Sequence, residues 1–359
     1  MMDLQERLRL ISQVGEEIVT HDELKELLKE KPHPIAYDGF EPSGRVHIAQ
    51  GLLRAININK MTAAGCKFKM LVADWHGWAN NKMGGNLENI QLVGKYLIEV
   101  WRSCGMDLDN VEFVWASELN REDEYWKKVM QVARNTTVSR IVRCGQIMGR
   151  EDAEVQQASQ ILYPCMQAAD IFQLKADICQ LGMDQRKVNI LAREIGPKLG
   201  YWKPVIVSHH MLMGLGEPAS KEKDAAERAI DLKMSKSKPE SAIFMTDTQE
   251  DVERKIGKAY CPQKEAKDNP VLEYCRYIVF EKFKTLEIKR AEKFGGDITF
   301  ASYAELEKAY ASGVLHPMDL KAAVASKINE LLDPVRHHFE KNAKAKELLE
   351  KVNRLEVTR

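Results

Sequence analysis

Hydrophobic and polar positions in the first fifth of the chain follow the order of a strand–helix–strand unit. Residues 3–31 have an amphipathic helical period, which the two prolines that follow bring to an end. The short apolar run at 35–39 predicts a buried strand, residues 46–65 a helix closed by a glycine, and residues 67–74 a second strand. This order predicts a parallel sheet with helices on both faces.

The strand pattern is then interrupted by helical sequence and resumes later. Residues of about 86–160 have long helical patterns, with a strand-like run at 111–116. Strand patterns return at 176–182 and 203–210, with a helical pattern between them. The sequence therefore predicts an α/β, Rossmann-like parallel-sheet domain over 35–242, split by a helical connective insertion.

The remaining segments differ from this domain in composition. Residues 1–34 form an N-terminal helical segment, and residues 213–242 are charged and rich in glycine, proline and serine, which predicts a flexible surface loop. Residues 247–345 have mostly helical periodicity and predict a second, α-helical domain. The last residues, 346–359, are predicted to be a charged tail.

Composition narrows the class of protein. The 359 residues suggest about two domains, and 44% hydrophobic with 30% charged residues indicates a globular protein. Lysine plus arginine (53) equals aspartate plus glutamate (53), so a nucleic-acid surface would have to be a local basic patch. The 7 cysteines never occur as C-x-x-C, which favours free thiols and no bound metal. No apolar run could span a bilayer, so we expect a cytoplasmic protein without a membrane partner.

The stretch YDGFEPSGRVHIAQG, residues 37–51, is the first candidate site. In a doubly wound fold, the end of the first strand and the start of the next helix form the ligand crevice. Backbone N–H groups at a helix start favour phosphate there, and His47, expected on the first helical turn, could donate to a phosphate oxygen. By itself the motif is equally consistent with a glycine turn and a histidine cap.

The stretch KMSKS, residues 233–237, is the second candidate. Lys233 and Lys236 could hold a polyphosphate and stabilise charge that develops in a transition state. An ordinary solvated loop has the same composition, so the stretch alone favours the simpler interpretation. Both motifs together on a split α/β scaffold are much more specific than either one.

Three polar residues form a third candidate site. Tyr163, Gln167 and Asp170 are spaced i, i+4 and i+7, so they share one face of a helix. Helical faces that pack into a protein core are ordinarily apolar. Buried polar groups need polar partners. The three side chains therefore predict a buried site for a polar ligand rather than a core stripe.

These motifs resemble the HIGH and KMSKS signatures of class I aminoacyl-tRNA synthetases, with HIAQ in the HIGH place. Over about residues 10–340 the chain resembles the tyrosyl-tRNA synthetases of the archaeal and eukaryotic cytosolic type. It departs from HIGH at Ala49 and Gln50, which weakens one phosphate contact, and its linker before Lys233 is long and charged. The stretches that carry the narrower resemblance are 37–51, 161–172, 181–194, 293–297 and 315–321.

The resemblance implies a tyrosine pocket and an ATP site. Tyr37 and Asp170 would meet the phenol hydroxyl, while Tyr163, Gln167 and Gln185 would hold the ammonium and carboxylate end. The residues expected to line the adenosine, with the last of them on the ribose hydroxyls, are Gly39, Gly182 and Asp184. The residues expected to contact the ATP phosphates and to act in catalysis are His47, Lys233 and Lys236.

The resemblance also implies contacts with tRNA(Tyr) and with a second copy of the chain. Phe294, His316 and Asp319 would read the anticodon in the second domain, and Arg143 would approach the first acceptor base pair. A homodimer is expected, with its contact near residues 110–150. The implied reaction activates L-tyrosine with ATP and Mg²⁺, releases pyrophosphate, and transfers tyrosine to the 3′ end of tRNA(Tyr).

Three other functions stay open at this stage. A tryptophanyl enzyme shares the architecture, although Tyr37 and Asp170 favour a hydroxyl-bearing substrate. A small-metabolite nucleotidyltransferase could use the His47 turn but would not need the second domain. An RNA-binding protein could keep the fold without activity, although four residues favour an enzyme: Lys233, Lys236, Asp184 and Asp170.

Overall fold

A six-stranded sheet forms the centre of the protein. The computed structural model describes residues 2–145, 157–218, 234 and 239–355, and the statements below refer to these residues. The sheet has the order β1-β6-β5-β2-β3-β4, and all neighbours are parallel except β1 and β6. Its strands are β1 (Gly15–Val19), β2 (Ile35–Phe40), β3 (Lys67–Val72), β4 (Val111–Trp115), β5 (Ile178–Cys179) and β6 (Val205–His209).

Helices cover the sheet. They also build most of the second region, by which we mean the described residues from 247 onward. Those up to residue 195 are α1 (Leu4–Val14), α2 (His21–Glu30), α3 (Leu52–Ala63), α4 (Asp74–Ala79), α5 (Leu87–Ser103), α6 (Ala116–Leu119), α7 (Asp123–Arg134), α8 (Val138–Gly145), α9 (Ala158–Gln173) and α10 (Arg186–Ile195). Those after residue 248 are α11 (Gln249–Lys258), α12 (Pro270–Tyr274), α13 (Phe280–Lys282), α14 (Tyr303–Ser312), α15 (Pro317–Lys341) and α16 (Ala343–Asn353). None of these helices combines the length and the apolar character needed to cross a bilayer.

The direction in which strands are added reverses between β2 and β5. From β2 the chain adds β3 and β4 on one side, then returns through α9 to add β5 and β6 on the other. Ligands of open α/β sheets bind outside the carboxyl ends of the strands at such a reversal. The Rossmann-like class predicted from the sequence is confirmed, and its crevice lies at the ends of β2 and β5.

The N-terminal segment is not the continuous helix that its periodicity predicts. Residues 15–19 form β1, which pairs antiparallel with β6 and closes that edge of the sheet. Gly15 starts this strand where a Cβ would lie 2.7 Å from the Ile18 side chain. The unpaired N–H and C=O groups of β6 need a partner, and this demand overrides the local helical pattern.

The segment around His47 also differs from its prediction. Helix α3 begins at Leu52 rather than at residue 46, and His47 instead forms an isolated bridge with Phe244. The Ile48 N–H donates to the Ile243 carbonyl at 2.9 Å, which pairs the two segments. A sequence pattern does not contain this pairing, because its partner lies about two hundred residues away.

Two further predictions for the chain are wrong in part. The strand predicted at 176–182 is reduced to the two residues of β5. The second region contains a hairpin of β7 (Leu286–Ile288) and β8 (Ile298–Phe300) in addition to its helices. These strands have only three residues each, too few for an alternating pattern to be recognised.

The predicted charged tail is largely a packed helix. Helix α16 lies against α5 and α15 and buries Ala345 and Val352. Ala345 and Val352, two turns apart, pack on one side of the helix, although 5 of its 11 residues are charged. The division into domains at 35–242 and 247–345 stays a prediction.

Asp247 joins the two regions of the chain. Its carboxylate oxygens lie 2.8 Å from Arg45 Nη2, two residues before His47, and 2.6 Å from Lys255 Nζ of α11. Its backbone carbonyl accepts a hydrogen bond of 2.9 Å from Nε of Arg336 on α15. The aspartate is buried, and paired buried charges of this kind fix the relative position of the elements that carry them.

His210, just after β6, forms a second link between the regions. Its Nδ1 lies 3.2 Å from Glu16 and its Nε2 lies 2.7 Å from Glu273 of α12, while its ring stacks on Tyr277 at 4.2 Å. Burial alone would lower the pKa of His210, but the hydrogen bonds and charges of the two glutamates outweigh it and raise the pKa to about 9. Arg276, beside Tyr277, is the remaining charged group near the cluster.

This raised pKa predicts that His210 stabilises the protein only below alkaline pH. A folded-state pKa above the unfolded value of about 6.5 gives stability that is complete below pH 6.5 and is lost as the pH rises through 9. We expect His210→Gln to lower the free energy of unfolding by at most about 3 kcal/mol at pH 6 and by much less at pH 10. Denaturant unfolding at both pH values tests this, with the exposed His337→Gln as control. A loss that grows toward alkaline pH would contradict the assignment.

Candidate active site

The hydroxyl of Tyr37 lies in a buried pocket between β2 and α9. Tyr37 is only 1% exposed, and its hydroxyl has no hydrogen-bond partner within the described part of the chain. Gln167 approaches it without a hydrogen bond of good geometry. Burial first, and then Cys179 and Asp170, raise the pKa of Tyr37, so the hydroxyl stays protonated and can donate.

The polar face predicted on α9 faces this pocket. Tyr163, Gln167 and Asp170 all lie on α9, and all three are buried although they are polar. The helix places them on one side because 3.6 residues complete a turn. The spacing argument from the sequence is therefore confirmed for the helix and for the burial of the three side chains.

Two residues that sequence reasoning missed hold Asp170. The Tyr125 hydroxyl donates to Asp170 Oδ1 at 3.0 Å, and His76 Nε2 lies 2.9 Å from Asp170 Oδ2. Burial alone would lower the pKa of His76, but the charge and hydrogen bond of Asp170 outweigh it and raise the pKa. His76 follows the carboxyl end of β3, and that position was the available signal. Tyr125 lies in the insertion and had no such signal.

The end of the pocket at which the sequence predicts the zwitterion is formed by an amide pair and an acidic residue. Gln167 Nε2 donates to Gln185 Oε1 at 3.0 Å, which joins two of the residues expected there. Glu41, not predicted for this site, lies near Tyr163 and helps to raise the pKa of that phenol, after the larger effect of burial. Asn80 Nδ2 donates to Glu41 at 3.1 Å and keeps the carboxylate in place.

The residues expected at adenosine lie around the ends of β2 and β5. A Cβ at Gly39 would meet its nearest atom, in Leu71, at 3.5 Å, so the protein itself does not require glycine there. At Gly182 the space is filled, because a Cβ would lie 2.6 Å from Asp184 Oδ1 and 2.5 Å from the Met211 sulfur. Glycine at 182 therefore permits the close packing of Asp184 and Met211.

A buried ion pair supports this part of the sheet from the opposite face. Side chains alternate along β2, so Asp38 points away from the pocket that holds Tyr37. Asp38 Oδ2 lies 2.9 Å from Arg54 Nε of α3. Burial raises the pKa of Asp38 to about 6, although Arg54 opposes that shift.

Of the three residues predicted to bind phosphate, the structure describes only His47. His47 is buried beside the crevice in its bridge with Phe244. Lys233 and Lys236 lie outside the described residues. Met234 between them is described: it is buried, and its N–H donates to the Leu212 carbonyl at 3.2 Å. The role of the two lysines stays a prediction.

The residues predicted to read the anticodon lie on two neighbouring turns of the second region. Phe294 is 62% exposed, and the exposed His316 caps α15, with Asp319 in the first turn of that helix. Arg290 joins the two turns, since its Nε donates to the Gly296 carbonyl at 2.8 Å and its Nη1 donates to the Val314 carbonyl at 2.9 Å. Arg143, predicted near the acceptor end, is exposed on α8.

Comparison with known proteins agrees with this geometry. A family model described as class I tRNA synthetases (W and Y) matches residues 29–333. Tyrosine–tRNA ligase 1, cytoplasmic, of Arabidopsis thaliana is 50% identical over 99% of this chain and 90% of its own length. The chain belongs to the tyrosine–tRNA ligase family. Within the family, the ligase of Saccharolobus islandicus (strain M.14.25 / Kamchatka #1) is 42% identical over 100% of both chains.

Some relatives of this ligase family are longer. The chain covers 46% of the Arabidopsis tyrosine–tRNA ligase 2, cytoplasmic, at 52% identity over 98% of its own length, so it spans about half of that relative. A solved tyrosyl-tRNA synthetase from Pyrococcus horikoshii, complexed with L-tyrosine, superposes with a TM-score of 0.91 at 40% identity over 97% of this chain and 100% of that one. Membership in this family sets aside the small-metabolite nucleotidyltransferase.

Proposed function

We infer that the chain is a tyrosine–tRNA ligase. It activates L-tyrosine with ATP to tyrosyl-adenylate and pyrophosphate, then transfers tyrosine to the terminal adenosine of tRNA(Tyr). The observation that carries this inference is the buried pair of Tyr37 and Asp170 at the end of a polar pocket. A phenol fits between them, because Tyr37 can donate to the phenol oxygen while Asp170 accepts its proton in a hydrogen bond.

The other end of the pocket suits the amino-acid zwitterion. Glu41 supplies a negative charge near Tyr163, and the carbonyl oxygens of Gln167 and Gln185 can accept from an ammonium group. We propose that this end, with the hydroxyl of Tyr163, orients the tyrosine carboxylate toward ATP. The distance between the two ends then selects an amino acid of the length of tyrosine.

The first chemical step needs positioning and charge stabilisation more than acid–base catalysis. The tyrosine carboxylate attacks the α-phosphorus of ATP, the bond to the bridging oxygen breaks, and pyrophosphate leaves. We propose that His47, Lys233 and Lys236 stabilise the negative charge that develops on the phosphates. Asp184 would accept from the ribose hydroxyls, with Gly39 leaving room for the nucleoside and Gly182 letting Asp184 and Met211 approach closely. Mg²⁺ would arrive on the ATP phosphates as part of that substrate.

Amino-acid-dependent ATP–pyrophosphate exchange tests this function. We expect exchange with tyrosine and very little with phenylalanine or tryptophan. Discrimination of about 10⁵ against phenylalanine is already established for tyrosyl-tRNA synthetases as a class, and our expectation follows that precedent. Exchange with tryptophan and none with tyrosine would contradict the choice of substrate. Absence of exchange with all three amino acids would favour an inactive RNA-binding protein.

We propose that the second region reads the anticodon through Phe294, His316 and Asp319. An exposed phenylalanine and an exposed imidazole on adjacent turns suit stacking of unpaired bases, and the Asp319 carboxylate could accept from a guanine edge. Arg143 would approach the acceptor end of the same tRNA. Two Arabidopsis relatives are named as cytoplasmic, and we propose the same location for this chain.

Arg290 offers a test of the anticodon proposal. Arg290→Ala should lower kcat/KM for tRNA charging about tenfold, because it separates the turns of Phe294 and His316, and should leave tyrosine-dependent exchange unchanged. Arg290→Lys should lower kcat/KM nearly as much, since one ammonium group cannot replace the guanidinium group that binds two carbonyls. Full charging activity in the lysine variant would instead indicate a simple charge contact with RNA.

We propose that the ligase is a homodimer that buries an apolar surface in and beside the insertion. This surface consists of exposed Trp78, Trp126, Met130, Val138 and Leu162, on α4, α7, α8 and α9. Trp126 and Met130 lie one turn apart on α7, and Trp78 and Trp126 both contact the ring of Trp75. Exposed apolar residues grouped in this way commonly mark an interface between subunits.

A charge placed in this surface should separate the subunits. Met130 is 55% exposed, and we expect Met130→Lys to shift the protein from dimer to monomer at micromolar concentration in sedimentation velocity. Met318, 59% exposed on α15, provides a matched control, and Met318→Lys should remain dimeric. A monomeric wild-type protein, or a Met130→Lys variant that is still fully dimeric, would contradict this interface.

A further inference from the structure

The segment that follows β6 forms a wall of the proposed adenosine site. We call residues 209–215 the exit segment. The Met211 sulfur packs against Gly182, since a Cβ there would lie 2.5 Å from the sulfur, and Asp184 Oδ1 lies 2.6 Å from the same Cβ position. The carbonyl of the next residue, Leu212, accepts a hydrogen bond of 3.2 Å from the N–H of Met234. The exit segment therefore contacts both Gly182, which is expected at the adenosine, and the methionine of KMSKS.

Two consecutive residues of the second region hold the backbone of this segment. The Met213 N–H donates to Glu273 Oε2 at 2.6 Å, and the Met213 carbonyl accepts from the Tyr274 hydroxyl at 3.0 Å. Both residues belong to α12, and Tyr274 is fully buried. The other oxygen of Glu273 binds His210, so α12 contacts the exit segment at positions 210 and 213 and spans Met211 between them.

Within the described residues, β6 ends at His209, and residues 210–215 belong to none of the named strands. Its backbone groups have strong hydrogen-bonding requirements, and at Met213 both are satisfied by side chains of α12 rather than by the sheet. The position of Met211 beside Gly182 therefore depends in part on α12, together with the backbone bonds of Leu212 to Met234 and of Leu215 to Ser241. A shift of the backbone at Met213 would move the wall of the nucleotide site by a similar amount.

We propose that Tyr274 and Glu273 are positioning residues for ATP, so that the region expected to read tRNA also shapes the nucleotide site in the absence of tRNA. This proposal rests on the proposed function, because it takes the pocket at Gly182 and Asp184 as the adenosine site. Tyr274 and Glu273 act through the backbone of Met213 and are not themselves in contact with the reacting atoms.

The matched pair Tyr274→Phe and Tyr310→Phe tests the proposal on the full chain. Both tyrosines are fully buried in the second region, and each hydroxyl donates to a backbone carbonyl. The Tyr310 hydroxyl binds Pro262 at 2.8 Å and none of the residues 209–215. Each variant deletes one oxygen atom, and we expect similar decreases in melting temperature.

The two variants should differ in the kinetics of tyrosine-dependent ATP–pyrophosphate exchange without tRNA. Tyr274→Phe should raise the KM for ATP about three- to tenfold and leave the KM for tyrosine unchanged. Tyr310→Phe should change neither constant. A Tyr274→Phe enzyme with wild-type KM for ATP, or equal increases in both variants, would overturn the proposal and leave Tyr274 a purely structural residue.

A second variant keeps the test decisive if Tyr274→Phe does not fold. Glu273→Gln preserves the size of the side chain and can still accept from Met213 through its carbonyl oxygen, but it loses the charge beside His210. We expect a smaller increase in the KM for ATP, of about two- to threefold, again with no change for tyrosine. A change confined to tyrosine would contradict a role at the nucleotide. Exchange by the wild-type enzyme tests the proposed function separately, so the two can fail independently.

Discussion

Asp170→Asn should lower kcat/KM for tyrosine in ATP–pyrophosphate exchange by at least about 10²-fold, while the KM for ATP stays within about twofold. Asp170 is fully buried and serves three donors in this proposal: the hydroxyl of Tyr125, the ring of His76 and the phenol of the substrate. Asparagine keeps the shape but brings an N–H₂ group to one of these donors. Two donors would then face each other in a buried site, and the charge-assisted bond to the substrate would be lost.

Asp177 supplies a matched control for this substitution. It is also a buried aspartate, close to the start of β5, and it binds Lys31 Nζ at 2.6 Å and the Ile35 N–H at 2.9 Å. We expect Asp177→Asn to lower the melting temperature and to leave the kinetics with tyrosine nearly unchanged. If Asp170→Asn used tyrosine as well as the wild type does, the assignment of the phenol pocket would be wrong.

Tyr37→Phe should weaken the preference for tyrosine over phenylalanine by about 10²-fold in the ratio of kcat/KM values. In the wild type, phenylalanine leaves both the Tyr37 hydroxyl and Asp170 without a partner on the substrate. The substitution removes one of these buried groups, so phenylalanine no longer incurs that part of the cost, while tyrosine loses a hydrogen bond. Both changes lower the ratio, and they act in opposite directions on the two substrates.

The measurement is exchange with each amino acid at saturating ATP. Tyr201→Phe is the control, because it removes a hydroxyl that binds Gln131 Oε1 at 2.9 Å outside the pocket. We expect the control to keep the wild-type ratio. A Tyr37→Phe enzyme with an unchanged ratio would show that its hydroxyl does not contact the substrate phenol.

Local sequence patterns were sufficient for the parts of the site that lie on one element. Tyr163, Gln167 and Asp170 could be assigned to one helical face because a single helix carries them all. Tyr37 could be placed on the first predicted strand for the same reason. The parallel order of β2 and β3 followed from the helix between them, since parallel strands need such a crossover.

Local sequence patterns did not predict the contacts between segments that are distant in the chain. Tyr125 and His76 reach Asp170 from two other helices, and no spacing in the sequence relates them to α9. The helical prediction at Gly15–Val19 was wrong because the edge of β6 imposes a strand on a sequence with helical periodicity. The helix start at residue 46 was wrong because the Phe244 segment pairs with His47 first. Tertiary hydrogen bonds overrode local preference in both cases.

The contacts of Asp247 limit how this enzyme could be recombined with its relatives. Helix α15 has 25 residues, about 37 Å in length, and carries His316 as its cap at one end and Arg336 near the other. A chimaera that exchanged the region proposed to read the anticodon, with its junction at residue 247, would separate Arg45 from Lys255 and Arg336, which all meet at that aspartate. In a library of recombined ligases, we therefore expect folded chimaeras to be those that take all four residues from the same parent sequence.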